Sequence, residues 1–278
     1  MRWWLGLLRL LVCGCPFTES AHGAQEIPFE LKGGLIFVRV ESAGTKEPLH
    51  FILDSGAGVS VLNLQTVRQL GLTLASLAAV RGVGSEASGF WPQHFTATAA
   101  SVALTTNYLA VDLSQLSEAC ALNVDGLIGA DFFEGRIVQI DYEARRIRVL
   151  ENFTTSAHAE KLPLRKGRQA LLTQVQIEKA KPQWLRVDTG CASELEWVNS
   201  KGTFKSAPRQ IAVGLSPISK CETTLDFALG TIRFQNMRAG IHSAPIFSGE
   251  MGLVGNALLA RFKRVTFDER KGRLYLEP

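Results

Sequence analysis

Apolar residues in this chain recur in short runs, some alternating with polar residues and some continuous, not in long helical stripes. Leu35-Ile36-Phe37-Val38-Arg39-Val40, Phe51-Ile52-Leu53, Ile137-Val138-Gln139-Ile140 and Val265-Thr266-Phe267 are such runs, bounded by Gly, Asp and Lys turns. Short runs of this kind between turn formers predict antiparallel strands, so an all-β protein with few short helices is expected. One helix stands out in the first half. Asn63 can cap it, Leu64, Val67 and Leu70 share a face, and Gly71 stops it.

The pattern repeats. Ile27-Pro28-Phe29 opens the first half and Leu162-Pro163-Leu164 the second. The runs Leu35–Val40 and Ala170–Val175 follow, then polar turns at Ser42–Lys46 and Glu178–Pro182. Next come runs that end on Asp54 and Asp188, 26 and 25 positions after their prolines. Each half closes with a short helical turn and a hairpin: Gly129–Phe133 with Ile137–Tyr142 and Arg146–Val149, then Gly255–Leu259 with Val265–Asp268 and Arg273–Leu276. An internal repeat on this scale predicts two β lobes related by an approximate two-fold axis. The polar stretch Asn152–Glu160 reads as the linker. The expected division is a leader at 1–23, a first lobe at 24–153 and a second at 154–278.

Composition fits that picture. With 46% hydrophobic and 20% charged residues in 278, the chain can build a core in both halves. It has no apolar run long enough to span a membrane as a helix. Arg2 followed by the short apolar stretch Trp3–Val12 predicts a secretory leader, cleaved after Gly23 with Ala21 at the −3 position. Val12-Cys13-Gly14-Cys15 offers a second reading, a lipid anchor at Cys15. A mobile apolar N-terminus without export is a third. Removing Arg2, Glu19 and Arg9 with the leader lowers the net charge from +4 to +3. No dense basic block with interleaved aromatics is present, so nucleic acid is not an expected partner. Cys120, Cys191 and Cys221 would remain, without metal-ligand spacing. No cofactor or metal is expected. A Cys191–Cys221 disulfide and three buried thiols are both open.

The candidate chemistry sits at Asp54-Ser55-Gly56 and Asp188-Thr189-Gly190. Leu127-Ile128-Gly129 and Leu253-Val254-Gly255 follow them at matching places. One such tripeptide carries little information, but two in matched repeats suggest a site built from two carboxylates, one from each half. At these residues the chain resembles the aspartic peptidases of the pepsin and retropepsin type. It is most similar to the exported bacterial aspartyl-protease family, in which a retropepsin-like unit is often doubled. Phe51–Leu62 and Val124–Phe132 carry the resemblance, and the second half carries it more thinly. It implies two retropepsin-like β-barrel lobes in a pepsin-like bilobal arrangement, acting as a monomeric endopeptidase on peptide or protein, in the periplasm or secreted.

The resemblance assigns roles. Asp54 and Asp188 would share a proton. The ionised carboxylate takes a proton from water; the protonated one polarises the scissile carbonyl and then donates to the leaving amine. Gly56 and Gly190 would let the backbone turn tightly and aim N–H groups at the carboxylates. Ser55 and Thr189 would hydrogen-bond across to the opposite loop. The glycine-rich stretch Arg81–Gly89, with Gly82, Val83, Gly84 and Ser85 at its tip, is the flap candidate over the cleft. Val213-Gly214-Leu215-Ser216 is its counterpart, or a plain hairpin.

The second motif departs from the pattern at Arg186, Cys191 and Glu194, where Ile52, Ala57 and Ser60 stand in the first half. An Arg186–Glu194 ion pair is one expectation. The departures also motivate a non-catalytic peptide-binding protein with the same fold as an alternative. A Cys191 nucleophile would need a histidine base. His50, His94, His158 and His242 fall at no recognisable motif and are expected on surfaces or loops.

Overall fold

The structure, a computed structural model, describes residues 25–82, 85–167, 170–199, 209–213 and 216–278, with side chains omitted at 81–87 and 209–219. The leader, the cleavage site after Gly23 and Cys15 lie outside these residues. Among the described residues no helix is long and apolar enough to cross a membrane.

The predicted repeat is a repeat in space. In the first lobe Gln25–Lys32, Leu35–Ser42 and Leu49–Leu53 form an antiparallel meander. Gly126–Ile128 then inserts parallel to Leu49–Leu53 and antiparallel to Val61–Asn63. The second lobe repeats each step. Glu160–Gly167, Ala170–Ile177 and Gln183–Asp188 form its meander. Gly252–Gly255 inserts parallel to Gln183–Asp188 and antiparallel to Leu195–Val198.

A six-stranded antiparallel sheet joins the lobes. Its order is Gln25–Pro28, Arg146–Leu150, Ile137–Asp141, Arg264–Asp268, Arg273–Glu277 and Glu160–Pro163. The approximate two-fold passes between the two central strands, where Gln139 faces Thr266 and donates to its hydroxyl at 3.0 Å. Phe133 and Phe267, both fully buried, meet beneath this seam with ring centroids 4.8 Å apart. Burying such a ring contributes about 1.5–3 kcal/mol. The lobes are therefore welded by ladder hydrogen bonds and a shared core.

The anticipated helix is Leu64–Gln69. Asn63 caps it by accepting from the Gln65 N–H at 3.1 Å, Val67 is buried, and Gly71 terminates it at φ +63°. A second helix, Ser114–Cys120, is too short for its pattern to stand out: only Leu116, Ala119 and Cys120 fall at helical spacing, and none of its residues is fully buried. Residues 151–159 carry no strand or helix.

Candidate active site

Each aspartate sits where an inner strand ends, and the inserted strand beside it holds it there. The Asp54 N–H donates to the Ile128 carbonyl at 2.8 Å, and Asp188 pairs with Gly255 in register. The two loops meet across the lobe interface and grip one another. The Ser55 N–H donates to the Thr189 hydroxyl at 2.9 Å, and the Thr189 N–H donates to the Ser55 hydroxyl at 3.1 Å. The hydroxyls in turn donate to the strands behind the opposite loops: Ser55 to the Val187 carbonyl at 2.8 Å and Thr189 to the Leu53 carbonyl at 2.7 Å. Both hydroxyl residues are fully buried.

That grip brings the carboxyls of Asp54 and Asp188 side by side, close enough for each to act on the other's proton. The glycines permit the approach in a way the sequence did not suggest. Neither Gly56 nor Gly190 has a positive φ, so backbone conformation is not what demands glycine there. Space is: a Cβ on Gly56 would lie 2.3 Å from Asp188 Cγ, and one on Gly190 would lie 2.4 Å from Asp54 Cγ. Each carboxyl thus rests on the opposite loop's glycine. The glycine N–H groups serve their own loops, Gly56 to Asp54 Oδ1 at 3.0 Å and Gly190 to Asp188 Oδ1 at 2.9 Å.

The two carboxyls are not equivalent. Asp54 Oδ1 also accepts from the Ala57 N–H at 3.0 Å, a second main-chain donor on the same oxygen. Burial raises the pKa of Asp54, while bonds from Asp188, Ala57 and Gly56 and the Arg186 charge pull it back. Burial lifts Asp188 well above the usual carboxylate range, and the neighbouring Asp54 charge lifts it further. Two carboxyls this close titrate as a pair that holds one proton over a wide pH range. The donor count favours Asp54 as the ionised member and Asp188 as the protonated one.

The pair lies on the floor of a cleft of about 1460 Å³. That exceeds the roughly 300–1,000 Å³ of small-molecule pockets and suits an extended chain. Its walls differ. The first lobe lines it with apolar groups such as Ile52, Val61, Leu109, Val111, Leu116 and Leu127. The second lobe contributes Arg186, Glu196, Lys220, Arg238 and Glu250. Over the first wall stands a hairpin, Leu74–Gly82 with Ser85–Pro92, paired out to Gly82 and Ser85; Ala79 and Val80 line the cleft. Val83 and Gly84 lie outside the described residues. In the second lobe Arg209–Val213 pairs with Ser216–Leu229, and Gly214 and Leu215 lie outside.

Several sequence expectations need correction. Arg186 does not pair with Glu194. It forms a buried two-pronged pair with Glu250, Nε to Oε2 at 2.8 Å and Nη2 to Oε1 at 2.6 Å. Glu194 instead sits 3.7 Å from Arg261. The reason lies in a role its counterpart keeps. Ser60 accepts from the Gly129 N–H at 2.9 Å, whereas the Gly255 N–H finds the Glu194 main-chain carbonyl at 3.0 Å, which leaves that side chain to turn outward.

Cys120, Cys191 and Cys221 are thiols, so the Cys191–Cys221 disulfide does not form. Cys191 Sγ lies 3.0 Å from the Ser193 hydroxyl, and burial beside Asp188 pushes the thiol up to about 12, so it is no thiolate nucleophile at neutral pH. His242 is not on the surface. It is buried, with Nε2 2.6 Å from Glu196 Oε2, while Lys220 holds Glu196 Oε1 at 3.1 Å. Burial alone would raise Glu196, but these bonds outweigh it and keep its pKa low. Glu250 and this trio had no motif to announce them. Only the contrast of Arg186 with Ile52 was legible. No group of residues able to hold a metal is found among the described residues.

The grip is testable on its own. Thr189→Val keeps the side-chain shape but strands the Ser55 N–H and the Leu53 carbonyl. Urea unfolding is expected to show about 2–3 kcal/mol less stability. A loss within error of zero would mean the loops meet without it.

Comparison with solved structures places the fold. The chain superposes on the aspartic proteinase from Irpex lacteus with a TM-score of 0.58 at 13% identity, over 92% of this chain and 97% of that one. The architecture is thus the bilobal pepsin-like fold. No family model and no curated protein matches the chain.

Proposed function

We propose that this chain is an aspartic endopeptidase, active as a monomer because both carboxyls come from one polypeptide. The carrying observation is the Asp54–Asp188 pair, each carboxyl packed on the opposite loop's glycine, on the floor of a cleft sized for an extended peptide. In the reaction, Asp54 takes a proton from water as its oxygen bonds the scissile carbonyl carbon, and Asp188 gives its proton to the carbonyl oxygen. Collapse of the resulting gem-diol returns a hydroxyl proton to Asp188. Asp54's proton passes to the amine nitrogen as the C–N bond breaks. The amine therefore receives the proton first taken from water, by way of Asp54, and not a proton from the carboxyl that polarised the carbonyl, as the resemblance implied.

The apolar first-lobe wall supports cleavage beside bulky apolar side chains. The leader composition supports export, to the periplasm or medium, with Cys15 as the candidate lipid site. The doubled unit supports a place near the exported bacterial aspartyl proteases.

The test is digestion of a complex peptide library from pH 3 to 7, read by mass spectrometry. Wild-type protein is expected to cut it, and Asp54→Asn is expected not to. Cleavage that survives Asp54→Asn would sink the proposal. Peptide binding without cleavage would fit the non-catalytic peptide-binding reading instead.

A further inference from the structure

The second lobe buries charge where the first buries hydrocarbon. Arg186 faces Leu253 in register as Ile52 faces Leu127. Glu250 stands three residues before Leu253, as the fully buried Val124 stands before Leu127. A buried arginine two residues from the buried Asp188 is costly unless its charge is used or matched.

The Arg186 side chain is held on every side. Glu250 takes Nε and Nη2, the guanidinium carbon lies 3.5 Å from the Phe247 ring centroid, and Nη1 donates across the lobe interface to the Gly56 carbonyl. That last acceptor belongs to the loop whose N–H groups hold Asp54. We propose that Arg186 is a positioning residue of the dyad: it pins the Asp54 loop to the second lobe through Gly56 and stabilises the ionised form of the carboxyl pair. Glu250 is the countercharge that limits how strongly it does so. The role rests on the aspartic-peptidase reading, but the electrostatics can be measured without turnover.

Arg186 acts on both aspartates, lowering each. The other charged groups around the cleft are accounted for. Glu196 is matched by Lys220 and His242, Glu194 lies by Arg261, and Glu222 lies between Lys220 and Arg238. The Cys120 and Cys191 thiols are raised by burial and stay neutral. Asp54 is the only charged residue that the first lobe gives the cleft among the described side chains. The Arg186–Glu250 balance is therefore the local control on the dyad.

Two variants should move the dyad in opposite directions. Glu250→Gln leaves the arginine charge unmatched and favours the ionised pair, so titration moves to lower pH. Arg186→Ile with Glu250→Gln restores the first lobe's residue at the arginine's place and leaves no bare buried charge, so titration moves to higher pH. Carboxyl-13C aspartate NMR reads the titration directly, and the pH profile of kcat/KM reads it in turnover. Opposite shifts support the assignment. Coincident titrations, or shifts of the same sign in both variants, overturn it. If the wild type cleaves nothing, the enzymatic reading fails, while the NMR arm still decides what Arg186 does.

Discussion

Asp188→Asn is expected to lower turnover by about four orders of magnitude and, at neutral pH, to raise the melting temperature. The two effects share one cause. Asp188 is buried beside another carboxyl, so its pKa in the folded chain stands well above the ordinary 3.8. The folded state then binds a proton more tightly than the unfolded chain. By linkage the wild type loses stability as pH rises from the unfolded value through the folded one. Asparagine keeps the shape, can donate to an ionised Asp54 and carries no such penalty. It cannot deliver a proton, however, and removing a group that acts as part of a catalytic unit costs on the order of 10⁴ in kcat.

Calorimetry from pH 3 to 8 should show a variant whose stability advantage is absent in acid and grows as pH rises. Undiminished turnover would remove Asp188 from the chemistry. An advantage equal at every pH would mean the gain has nothing to do with the buried proton.

The glycines beneath the dyad carry the second large effect. Gly190→Ala places a methyl 2.4 Å from Asp54 Cγ, and Gly56→Ala places one 2.3 Å from Asp188 Cγ. Real Cβ contacts essentially never fall below 3.0 Å, so the opposite carboxyl must move by the better part of an ångström. A displacement of that size at reacting groups costs about 10²-fold or more in rate. Neither glycine has a positive φ, so alanine adds no backbone strain there and the chain should still fold. Both variants should therefore stay folded by circular dichroism while losing at least about 100-fold in kcat. Near-wild-type rates in either one would show that the carboxyl resting on that glycine has room to spare.

The contrast between these sites and Arg186 shows where sequence reading reaches. The Asp54 and Asp188 loops were legible because their pattern is local. A strand, an aspartate, a small hydroxyl residue and a glycine stand next to each other, and the repeat doubles the signal. Ser55 and Thr189 were legible as a pair for the same reason. The Arg186 partner was not, since Glu250 lies 64 positions away on a segment without periodicity. The nearer Glu194 was the wrong choice because a main-chain bond had already released its side chain. His242 was misplaced for a related reason: an isolated histidine carries no record of the glutamate that will bury it.

From sequence alone came the short strands, the two-fold repeat, the capped helix at Leu64–Gln69 and the pairing of two aspartates. All of these depend on neighbours in the chain or on a pattern stated twice. Tertiary structure decided what lies between the repeats. It set the six-stranded seam, the resting of each carboxyl on the opposite glycine, the unequal donor counts on Asp54 and Asp188, and the buried Arg186–Glu250 pair. These depend on distances across the lobe interface and on burial. Neither is encoded at any one position, because each arises only when two distant segments exclude water together.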